Sequence, residues 1–424
     1  MKKILLIGSG GREYTMAWKI SQSPIAHKLF IAPGNGGTDA FGQNIPIDVH
    51  DFEGIRQFAV SEQIDLVIVG PEEPLVNGLA DLLEEIGIAV CGPRKAGAML
   101  EGSKAFAKEF MMEFGIPTAS YRSFSASEIN QAREYLRCLK PPYVIKADGL
   151  AAGKGVIITD KLDEAERALN SIVVDNKFGK SGSRVVIEEF LKGIEFSVFV
   201  ATDGTHYALL PEAKDYKRIG EGDTGLNTGG MGAVSPVPFF SDDLRSKVIR
   251  QIIEPTLYGL KKREILYRGF IFFGLILVDD QVYVIEYNCR LGDPETEVIL
   301  PRIESDFLEL CLAVADRTLS DIIPVHVTPQ ASSTVMLVSA GYPELYKKGF
   351  EIQIHEDLPE HVLVVHAGTI KKNKKLITNG GRVISVTAMA PQLSQAIDRS
   401  YEAISKISFE GMYYRRDIGH EFLK

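Results

Sequence analysis

Apolar and polar positions in the first hundred residues alternate between short apolar runs and amphipathic segments. Strand-like runs occur at KKILLIG, KLFIAPG, DLVIVGPE and IAVCGP, and helical periodicity covers residues 12–21 and 74–86. Because strands that alternate with helices form parallel sheets, residues 1–102 predict an N-terminal parallel α/β domain. Each strand ends in glycine or proline, so several turns should meet at the carboxyl edge, where such sheets bind ligands.

A second unit begins near residue 103. Phe106, Phe110 and Phe114 recur at a spacing of four and predict an amphipathic helix. Strands and helices continue to about residue 324, and a strand-rich segment from about 325 to 390 precedes a helix over 391–407. The pattern predicts a mixed α/β and α+β protein with three domains, 1–102, 103–324 and a small strand-rich domain, 325–424.

The turn after the first strand reads GSGGRE and covers residues 8–13. It departs from the glycine pattern of dinucleotide sites because Glu13 stands where the third glycine is expected. A phosphate-monoester site at the helix start and a purely structural turn are both consistent with it.

Residues 143–158, between two strand-like runs, read YVIKADGLAAGKGVII. In a Walker loop GK[ST] opens a helix, whereas this glycine-rich loop leads into a β-branched run and therefore joins two strands. Backbone N–H groups freed by the glycines, together with Lys146 and Lys154, can converge on phosphate oxygens. We expect a flap over a nucleoside triphosphate, with an ordinary glycine-rich hairpin as the alternative.

The segment VYVIEYNCR places chemistry on a strand. Alternation puts Glu286, Asn288 and Arg290 on one face, with Ile285 and Tyr287 on the other. A carboxylate and an amide oxygen can hold Mg²⁺ on a nucleotide, and the guanidinium can bind an anionic substrate bidentately. A half-solvated strand with a surface ion pair is the alternative.

The next segment, LGDPETEV, predicts a helix start. Asp293 is expected to cap a helix with Pro294 at its first position, and Glu295 and Glu297 would lie near its positive end. Capping does not exclude substrate contact, because a helix start is an anion-binding place.

Composition limits the function further. The chain has 424 residues, of which 45% are hydrophobic and 24% charged, as in ordinary globular proteins. Its net charge of −9 argues against a nucleic-acid surface, and the basic run at 371–375 is expected at a solvated hairpin tip. The longest apolar run, 269–278, is too short to span a membrane and predicts a buried strand.

The four cysteines are scattered and lack metal-finger spacing. They predict buried thiols without a disulfide, in a reducing compartment. Because no export signal is recognisable, we expect a cytoplasmic location, with no nucleic-acid, membrane or obligate protein partner.

Several longer segments resemble one family. They are SKAFAKEFM (103–111), IKADGLAAGKGV (145–156), IEEFL (187–191), GEGDTGLNTGGMGA (220–233), IEYNCRLGDPET (285–296), HAGT (366–369) and TNGGRV (378–383). From GSGGRE to RRDIG at 415–419, the chain closely resembles the phosphoribosylamine-glycine ligases, which are ATP-grasp enzymes. The resemblance implies a pre-ATP-grasp domain, a two-lobed ATP-grasp unit whose mobile lobe covers about 120–190, and a C-terminal domain.

The resemblance also implies roles for individual residues. ATP phosphates would be bound by Lys104 and Lys146 under a loop with Gly149, Gly153, Lys154 and Gly155, adenine by Glu188, Phe190 and Leu191, and ribose by Glu195. Mg²⁺ or Mn²⁺ would be bound by Glu286 and Asn288. Glycine and 5-phosphoribosylamine would be bound by Gly10, Asn35, Glu72, Asn227, Thr228, Gly229, Gly230, Arg290, Gly292 and Asp293. The expected catalytic residues are Arg290, Asp293 and Lys146.

The chain departs from the family pattern at several positions. Many ATP-grasp enzymes carry a second metal-binding acid on the preceding strand, which here reads Phe273-Gly274-Leu275, so the metal count stays open. Tyr14 and Tyr216 stand where family members usually have histidine, and Lys214 stands where they have glutamine. Tyrosine does not carry protons at neutral pH, so we expect no essential titrating base at either tyrosine.

The implied reaction has two steps. The glycine carboxylate attacks the γ-phosphate of ATP to give glycyl phosphate and ADP, and the amine of 5-phosphoribosylamine then displaces phosphate, giving glycinamide ribonucleotide for purine synthesis. Acyl phosphates hydrolyse in water, so the glycine-rich hairpin is expected to close as a lid. Two alternatives stay open: another ATP-grasp ligase of purine synthesis that uses bicarbonate or formate, and a catalytically idle nucleotide-binding protein.

Overall fold

The computed structural model of the chain describes residues 1–151, 155–175 and 179–423. Its first hundred residues form a parallel α/β layer, as the alternating pattern predicts. The elements are β1 (Lys2–Gly8), α1 (Gly11–Ile20), β2 (Ala26–Pro33), β3 (Gln43–Asn44), α2 (Phe52–Ser61), β4 (Leu66–Val69), α3 (Glu72–Val76), α4 (Leu79–Glu85) and β5 (Ala89–Cys91). The parallel order β3-β2-β1-β4-β5 brings the turns after β1, β2 and β4 to one edge of the sheet.

The single helix predicted over residues 74–86 is wrong, because two short helices occupy this segment. Gly78 has a φ of 94° and separates α3 from α4. Glycine adopts this left-handed conformation at little cost. Apolar periodicity does not register the break, because Leu75, Leu79 and Leu83 keep helical spacing across it and all three are buried.

Two helices connect this layer to the next unit. They are α5 (Lys95–Gly102) and α6 (Lys104–Glu113), the second of which is the helix predicted from the phenylalanine spacing. Ser103 caps α6, since its hydroxyl accepts a hydrogen bond from the Phe106 N–H at 3.1 Å. Phe110 is fully buried and packs edge-on against Tyr287, which fixes α6 against the large sheet described below.

A small lobe follows and carries the glycine-rich segment. Its elements are β6 (Tyr121–Ser125), α7 (Ile129–Cys138), β7 (Tyr143–Ala147), β8 (Val156–Thr159), α8 (Leu162–Val173) and β9 (Arg184–Glu188). The sheet order is β6-β9-β7-β8, with antiparallel neighbours, and a core that includes Leu136, Leu169 and Ile187 joins it to the helices. The predicted hairpin is confirmed, because Lys146 on β7 pairs with Val156 on β8.

A larger unit continues from residue 194. Its elements are β10 (Ile194–Thr202), β11 (Tyr207–Leu209), β12 (Lys214–Asp215), β13 (Arg218–Gly220), β14 (Thr224–Asn227), β15 (Gly232–Ser235), α9 (Asp242–Val248), α10 (Glu254–Lys262), β16 (Gly269–Val278), β17 (Gln281–Asn288), α11 (Thr296–Ile299) and α12 (Phe307–Asp316). The antiparallel order β11-β10-β16-β17 makes β16 a central strand, which explains the long apolar run.

The C-terminal elements complete a second sheet. They are β18 (Ala331–Val338), β19 (Gln353–Ile354), β20 (Val362–His366), β21 (Thr369–Lys372), β22 (Lys375–Thr378), β23 (Arg382–Ala390), α13 (Leu393–Ile404) and β24 (Ile407–Ser408). The order β12-β15-β18-β23-β20 includes strands from both sides of residue 325. The basic run forms the tip between β21 and β22, as predicted, with Lys371 paired to Asp39 and Lys375 to Glu351.

Asp293 is not the cap of a helix beginning at Pro294, contrary to the prediction. Helix α11 begins at Thr296, and its cap position is Glu295. The Asp293 carboxylate instead faces Arg382, with Oδ1 2.8 Å from Nη2. This ion pair holds the carboxylate towards the C-terminal sheet and away from the start of α11.

Three of the four cysteines are buried, but the prediction is wrong for Cys138, which is exposed at the end of α7, where the helix leaves the core of the lobe. All four thiols are free. Among the described residues, no helix has the length and apolar character needed to cross a membrane.

Candidate active site

A cleft of about 1510 Å³ lies between the small lobe and the sheet β11-β10-β16-β17. Most residues predicted to bind ligands line it, namely Glu72, Lys104, Lys146, Gly155, Glu188, Phe190, Leu191, Glu195, Asn227, Thr228, Gly229, Glu286, Asn288, Arg290 and Asp293. Gly10 and Asn35 line a second cavity of about 540 Å³. Both spaces are bordered by Asp293, Tyr342, Tyr346 and Arg382, so they meet at these side chains.

Three predicted glycines lie outside the lining of both spaces. A Cβ on Gly292 would lie 2.3 Å from Glu295 Oε2, and Gly230, with a φ of 115°, packs against Pro294. Gly149 accepts a hydrogen bond from Lys104 Nζ at 3.1 Å. These glycines support the walls of the cleft, while Gly153 and Lys154 fall outside the described residues.

Two lysines share one buried carboxylate at the back of the cleft. Glu188 Oε2 lies 2.9 Å from Lys146 Nζ and 3.1 Å from Lys108 Nζ. Burial would raise the pKa of Glu188, but the two ammonium groups outweigh it and hold the pKa below its ordinary value. The carboxylate is therefore ionised, and two positive charges face one negative charge.

Lys104 lies at the start of α6, beside the base of the hairpin. Asp148 binds this helix start, because its Oδ1 accepts bonds from Ser103 Oγ at 2.9 Å and from the Ala105 N–H at 2.7 Å. Burial lowers the pKa of Lys104, although the nearby Glu286 carboxylate opposes the change. These contacts hold the strand that carries Lys146 against the helix that carries Lys104.

Glu195, near the start of β10, is paired with a lysine that the sequence analysis did not identify. Its Oε2 lies 3.0 Å from Lys217 Nζ, and this cation lowers the pKa of Glu195 against the effect of burial. Burial would lower the pKa of Lys217, but Asp215 and Glu195 outweigh it and hold the pKa well above its ordinary value. Lys217 therefore adds a permanent positive charge to the wall.

Glu286, Asn288 and Arg290 all line the cleft, as the alternation on β17 predicts. Ile285 and Tyr287 also border it. The Tyr287 hydroxyl turns back to Thr256 Oγ1 at 2.9 Å, whereas the alternation is wrong for Ile285. Here β17 carries a bulge, because Gly274 pairs with Glu286 while Leu275 pairs with Val284, and the intervening residue has no partner in the ladder.

One carboxylate and one amide oxygen beside an open cleft suit a hard cation such as Mg²⁺, which keeps waters and phosphate oxygens as further ligands. Gly274 lies opposite Glu286, and a Cβ there would be 3.1 Å from Glu286 Cγ, so an acidic side chain at this position would displace Glu286. Across residues 1–151, 155–175 and 179–423, no group of three or more His, Cys, Asp and Glu residues is arranged to hold a metal. A cation here would depend on Glu286, Asn288 and its own substrate or solvent ligands.

Arg290 is held between two carboxylates. Its Nε donates to Glu72 Oε2 at 3.1 Å, its Nη2 donates to Glu101 Oε1 at 2.8 Å, and its Nη1 donates to the Leu291 carbonyl at 3.2 Å. Burial would raise the pKa of Glu72, but Arg290 and Arg12 lower it to about 2. Burial raises the pKa of Glu101 to about 7, although Arg290 opposes the change. A guanidinium has five N–H donors, and two of those of Arg290 have no partner among the described residues, so they can serve a ligand.

Asp293 and Arg382 lie where the cleft meets the second cavity. Arg382 Nη1 donates to the Asp293 carbonyl at 2.8 Å and to the Gly229 carbonyl at 2.6 Å. The predicted substrate segments at 227–230 and 290–293 are thereby joined by an arginine from β23. Glu297, which was predicted near a helix start, is fully buried behind them, and burial raises its pKa well above the ordinary value.

The GSGGRE turn is filled by its own glutamate. The Gly10 N–H donates to Glu13 Oε2 at 2.6 Å, and Arg12 Nε donates to Glu13 Oε1 at 2.6 Å. A Cβ on Gly8 would lie 2.4 Å from Glu13 Cγ, and one on Gly70 would lie 2.0 Å from Glu13 Oε1. Because this carboxylate occupies the space between the turns, the structure argues against a dinucleotide site there, while Ser9 and Gly10 still border the second cavity.

The residues that depart from the family pattern have structural partners. Tyr14 packs against Phe41 and His366, and burial raises its pKa to about 12. The Tyr216 hydroxyl donates to Glu421 Oε1 at 2.6 Å, and Lys214 Nζ lies 3.1 Å from the same oxygen. Burial also raises the pKa of Tyr216, so neither tyrosine titrates near neutral pH.

Among the charged residues of the cleft that the sequence analysis did not identify are Lys108, Arg382, Glu101 and Lys217. Two had a local signal: Lys108 follows Lys104 by about one helical turn, and Arg382 lies within the TNGGRV segment. The other two, Glu101 and Lys217, lack such a signal because their partners are distant in the sequence.

Three family models match the chain. They are phosphoribosylglycinamide synthetase N domain over residues 2–101, ATP-grasp (A) domain over 102–296 and C domain over 332–421. The phosphoribosylamine-glycine ligase of Pasteurella multocida is 47% identical over 420 residues, covering 98% of this chain and 97% of the relative. The crystal structure of the Thermotoga maritima phosphoribosylamine-glycine ligase superimposes with a TM-score of 0.86 at 36% identity, covering 98% of this chain and all of that chain.

A more distant structure shares the fold. N5-carboxyaminoimidazole ribonucleotide synthetase from Thermotoga maritima aligns with a TM-score of 0.64 at 18% identity, over 96% of this chain and 99% of that chain. At this identity the likeness concerns the fold alone.

Proposed function

Since the chain belongs to the phosphoribosylglycinamide synthetase family and is an ATP-dependent ligase of purine biosynthesis, we propose that its two connected spaces join glycine to 5-phosphoribosylamine. The products are glycinamide ribonucleotide, ADP and phosphate, formed through glycyl phosphate. One observation carries the assignment of residues. The lysines, the Glu286 and Asn288 pair and Arg290 line one cleft, which meets a second cavity at Asp293.

Two features of the cleft support ATP binding: the positive charge of its lysines and a carboxylate oxygen that accepts no hydrogen bond among the described residues. Lys104 and Lys146 line the cleft and suit the phosphates of ATP, which carry the opposite charge. Glu188 Oε1 is buried and accepts no hydrogen bond from the residues that the structure describes. The exocyclic amino group of adenine is a donor that would satisfy it, with Phe190 and Leu191 beside the ring and Glu195 near the ribose.

Glu286 and Asn288 are the residues proposed to hold Mg²⁺ or Mn²⁺. Their donor oxygens suit such a cation, as argued above from Gly274 and the open cleft. When bound, the cation would neutralise charge on the phosphate oxygens.

Arg290 is proposed to orient the glycine carboxylate through its two remaining N–H donors. Glu72 and Glu101 fix the guanidinium plane before substrate arrives, so little ordering is needed at binding. In the first step a carboxylate oxygen of glycine attacks the γ-phosphorus and the bond to ADP breaks. Lys146 and Arg290 offset the negative charge that gathers on the transferring group.

The second cavity is proposed to receive 5-phosphoribosylamine at the turns of Gly10 and Asn35. The segment Asn227–Gly230 would meet the substrate from the side of the cleft, next to Arg382. Asn35 is fixed by its own bonds, because Nδ2 donates to the Ser9 carbonyl at 2.9 Å and to the His366 carbonyl at 2.7 Å. The substrate amine then attacks the acyl carbon of glycyl phosphate, the carbon–oxygen bond breaks, and phosphate leaves together with the proton that the amine loses. Neither step needs a protein nucleophile.

ADP release tests this proposal directly. Wild-type protein should release ADP when ATP, Mg²⁺, glycine and 5-phosphoribosylamine are all present, and either substrate alone should give little. Bicarbonate or formate in place of glycine should give none, and ADP release with either would favour the alternative ligases. No ADP release with both substrates would favour a catalytically idle nucleotide-binding protein.

Two variants test the assignment of residues. Glu286→Ala and Arg290→Ala should abolish ADP release while the far-ultraviolet circular dichroism stays that of wild type. Near-normal turnover in either variant would overturn the role given to that residue.

A cytoplasmic location is also proposed, because free thiols suit a reducing compartment.

A further inference from the structure

Among the described residues, Lys108 is the most deeply buried lysine of the cleft. Its side chain is 2% exposed, and it lies on α6 about one turn after Lys104. Its Nζ lies 3.1 Å from Glu188 Oε2, donates to Thr118 Oγ1 at 2.8 Å and lies 5.6 Å from the centre of the Tyr121 ring. Thr118 is fixed in turn, because its hydroxyl donates to the Val284 carbonyl at 2.7 Å. Several independent contacts therefore hold this ammonium group in place.

Lys146 is held less firmly. Its Nζ donates to Glu188 Oε2 at 2.9 Å, and within the described residues this is its single hydrogen bond. It extends from β7, the strand that leads into the glycine-rich hairpin. Lys146 can therefore leave Glu188 for another anion at the cost of one contact, whereas Lys108 would have to give up several.

The group of Lys108, Lys146 and Glu188 has an unbalanced charge. Two ammonium groups share one carboxylate oxygen, so the group carries a net charge of +1 inside the protein wall. A buried charge without a counter-ion is costly, and an anion entering the cleft relieves that cost. If Lys146 moved to the anion without Lys108, Glu188 would itself be left as a buried charge without a partner.

We propose that Lys108 is a positioning residue that keeps Glu188 neutralised, so that Lys146 can move to the phosphates of a nucleoside triphosphate. This inference rests on the proposed function only in taking ATP as the ligand. Lys108 acts through Glu188, and the two lysines have different tasks although they touch the same oxygen.

Without Lys108, Glu188 should retain Lys146, and nucleotide binding should weaken. The probe is the non-hydrolysable β,γ-imido analogue of ATP with Mg²⁺, whose Kd is measured by calorimetry without glycine or 5-phosphoribosylamine. Lys108→Met should raise this Kd about 10- to 100-fold, the value of a charge-assisted hydrogen bond. Glu109→Gln, an exposed neighbour on α6, is the matched control and should leave Kd unchanged.

A double-mutant cycle separates this role from a merely structural one. In a Glu188→Gln background no carboxylate competes for Lys146, so Lys108→Met should change Kd by less than about 3-fold. An equal effect in both backgrounds would mean that Lys108 binds nucleotide itself or only supports the fold, and would overturn the proposal. So would an unchanged Kd in the single variant.

Lys108→Gln serves as a second variant if Lys108→Met does not fold. Its amide can still donate to Thr118 or Glu188 but carries no charge, and it is judged by the same cycle. Failure of the proposed function would show separately, as absent ADP release by wild-type protein with both substrates present. If wild-type protein releases ADP as expected but Lys108→Met has the same effect on Kd in both backgrounds, only the role of Lys108 is rejected.

Discussion

Arg382 and Asp293 are joined by two separate contacts. Nη2 of the arginine lies 2.8 Å from the carboxylate Oδ1, and Nη1 donates to the Asp293 carbonyl at 2.8 Å. The same Nη1 also reaches the Gly229 carbonyl. One side chain from the C-terminal sheet therefore fixes two segments of the proposed substrate site against each other, at the point where the cleft and the second cavity meet.

Arg382→Met should lower kcat/KM for glycine and for 5-phosphoribosylamine by about 100-fold or more, because removing one partner of a largely buried pair leaves the other uncompensated. The affinity for the ATP analogue should stay within about 3-fold of wild type, since the hydrogen bonds and the ion pair of Arg382 among the described residues go to Gly229 and Asp293 and not to the residues proposed to bind nucleotide. Steady-state kinetics and calorimetry measure the two effects. Arg416→Met, at an exposed position, is the control. A loss confined to nucleotide affinity would contradict the assignment.

Glu101→Gln should lower turnover, because the glutamine would hold the Arg290 guanidinium less firmly in place. Glu101 uses both oxygens, one for Arg290 Nη2 and one for the Cys289 N–H, each at 2.8 Å. Glutamine offers one acceptor oxygen, so its NH2 group would face either Arg290 Nη2 or the Cys289 N–H, both of which are donors. We expect kcat/KM for glycine to fall about 10-fold or more, the value of a charge-assisted bond. Glu85→Gln, at the exposed end of α4, should be silent, and equal effects of the two variants would count against the role.

Nucleotide affinity should weaken above about pH 8. Burial lowers the pKa of Lys108 to about 8, although Glu188 opposes the change, so the ammonium group loses its proton as the pH rises through that value. The other groups that face it are Lys146, Glu189 and Tyr121. Titrating the ATP analogue between pH 7 and about 9.5 should show a rise in Kd for wild type and a smaller one for Lys108→Met. The same dependence of Kd on pH in wild type and Lys108→Met would show that Lys108 is not the group that titrates.

The contribution of Lys108 to the free energy of unfolding should become more favourable as the pH rises above about 8, whereas nucleotide affinity weakens over the same range. Its pKa of about 8 in the folded protein lies below the ordinary value of 10.5, so the unfolded chain binds more protons between these values. Its burial therefore costs stability at pH values below about 8, and that cost fades as the pH rises towards 10.5. Any stability advantage of Lys108→Met should shrink over this window, which denaturant unfolding at several pH values can measure.

Gly70→Ala should destabilise the N-terminal layer. The new methyl group would lie 2.0 Å from Glu13 Oε1, and this carboxylate is fixed by Arg12 and the Gly10 N–H. We expect a loss of about 1 to 3 kcal/mol in the free energy of unfolding, as for other overpacked sites. The loss should be smaller when Glu13 is already alanine, because the obstructing carboxylate is gone. Strictly additive effects of Gly70→Ala and Glu13→Ala would reject the clash as the cause.

The sequence predicted those parts of the site that depend on local pattern. Lys146 and Glu286 lie where a hairpin and an alternating strand place them, and both patterns are complete within a few residues. Glu101 could not be recognised in this way, because its partner Arg290 lies 189 residues further along the chain. The bulge at Ile285 could not be predicted for another reason. Period-two alternation assumes that every residue of a strand pairs with its neighbour, and a bulge breaks this pairing.

The sheet order β12-β15-β18-β23-β20 has a consequence for how the chain can be divided. A piece ending at residue 324 would keep β15 but lose its neighbour β18, and the complementary piece would expose the edge of β18. The segment Asn227–Gly230 runs from the end of β14 towards β15, and the same cut would remove Arg382, which holds its Gly229 carbonyl. The chain should therefore not tolerate a cut or a long insertion at this apparent internal boundary, because both sides of it contribute strands to one sheet.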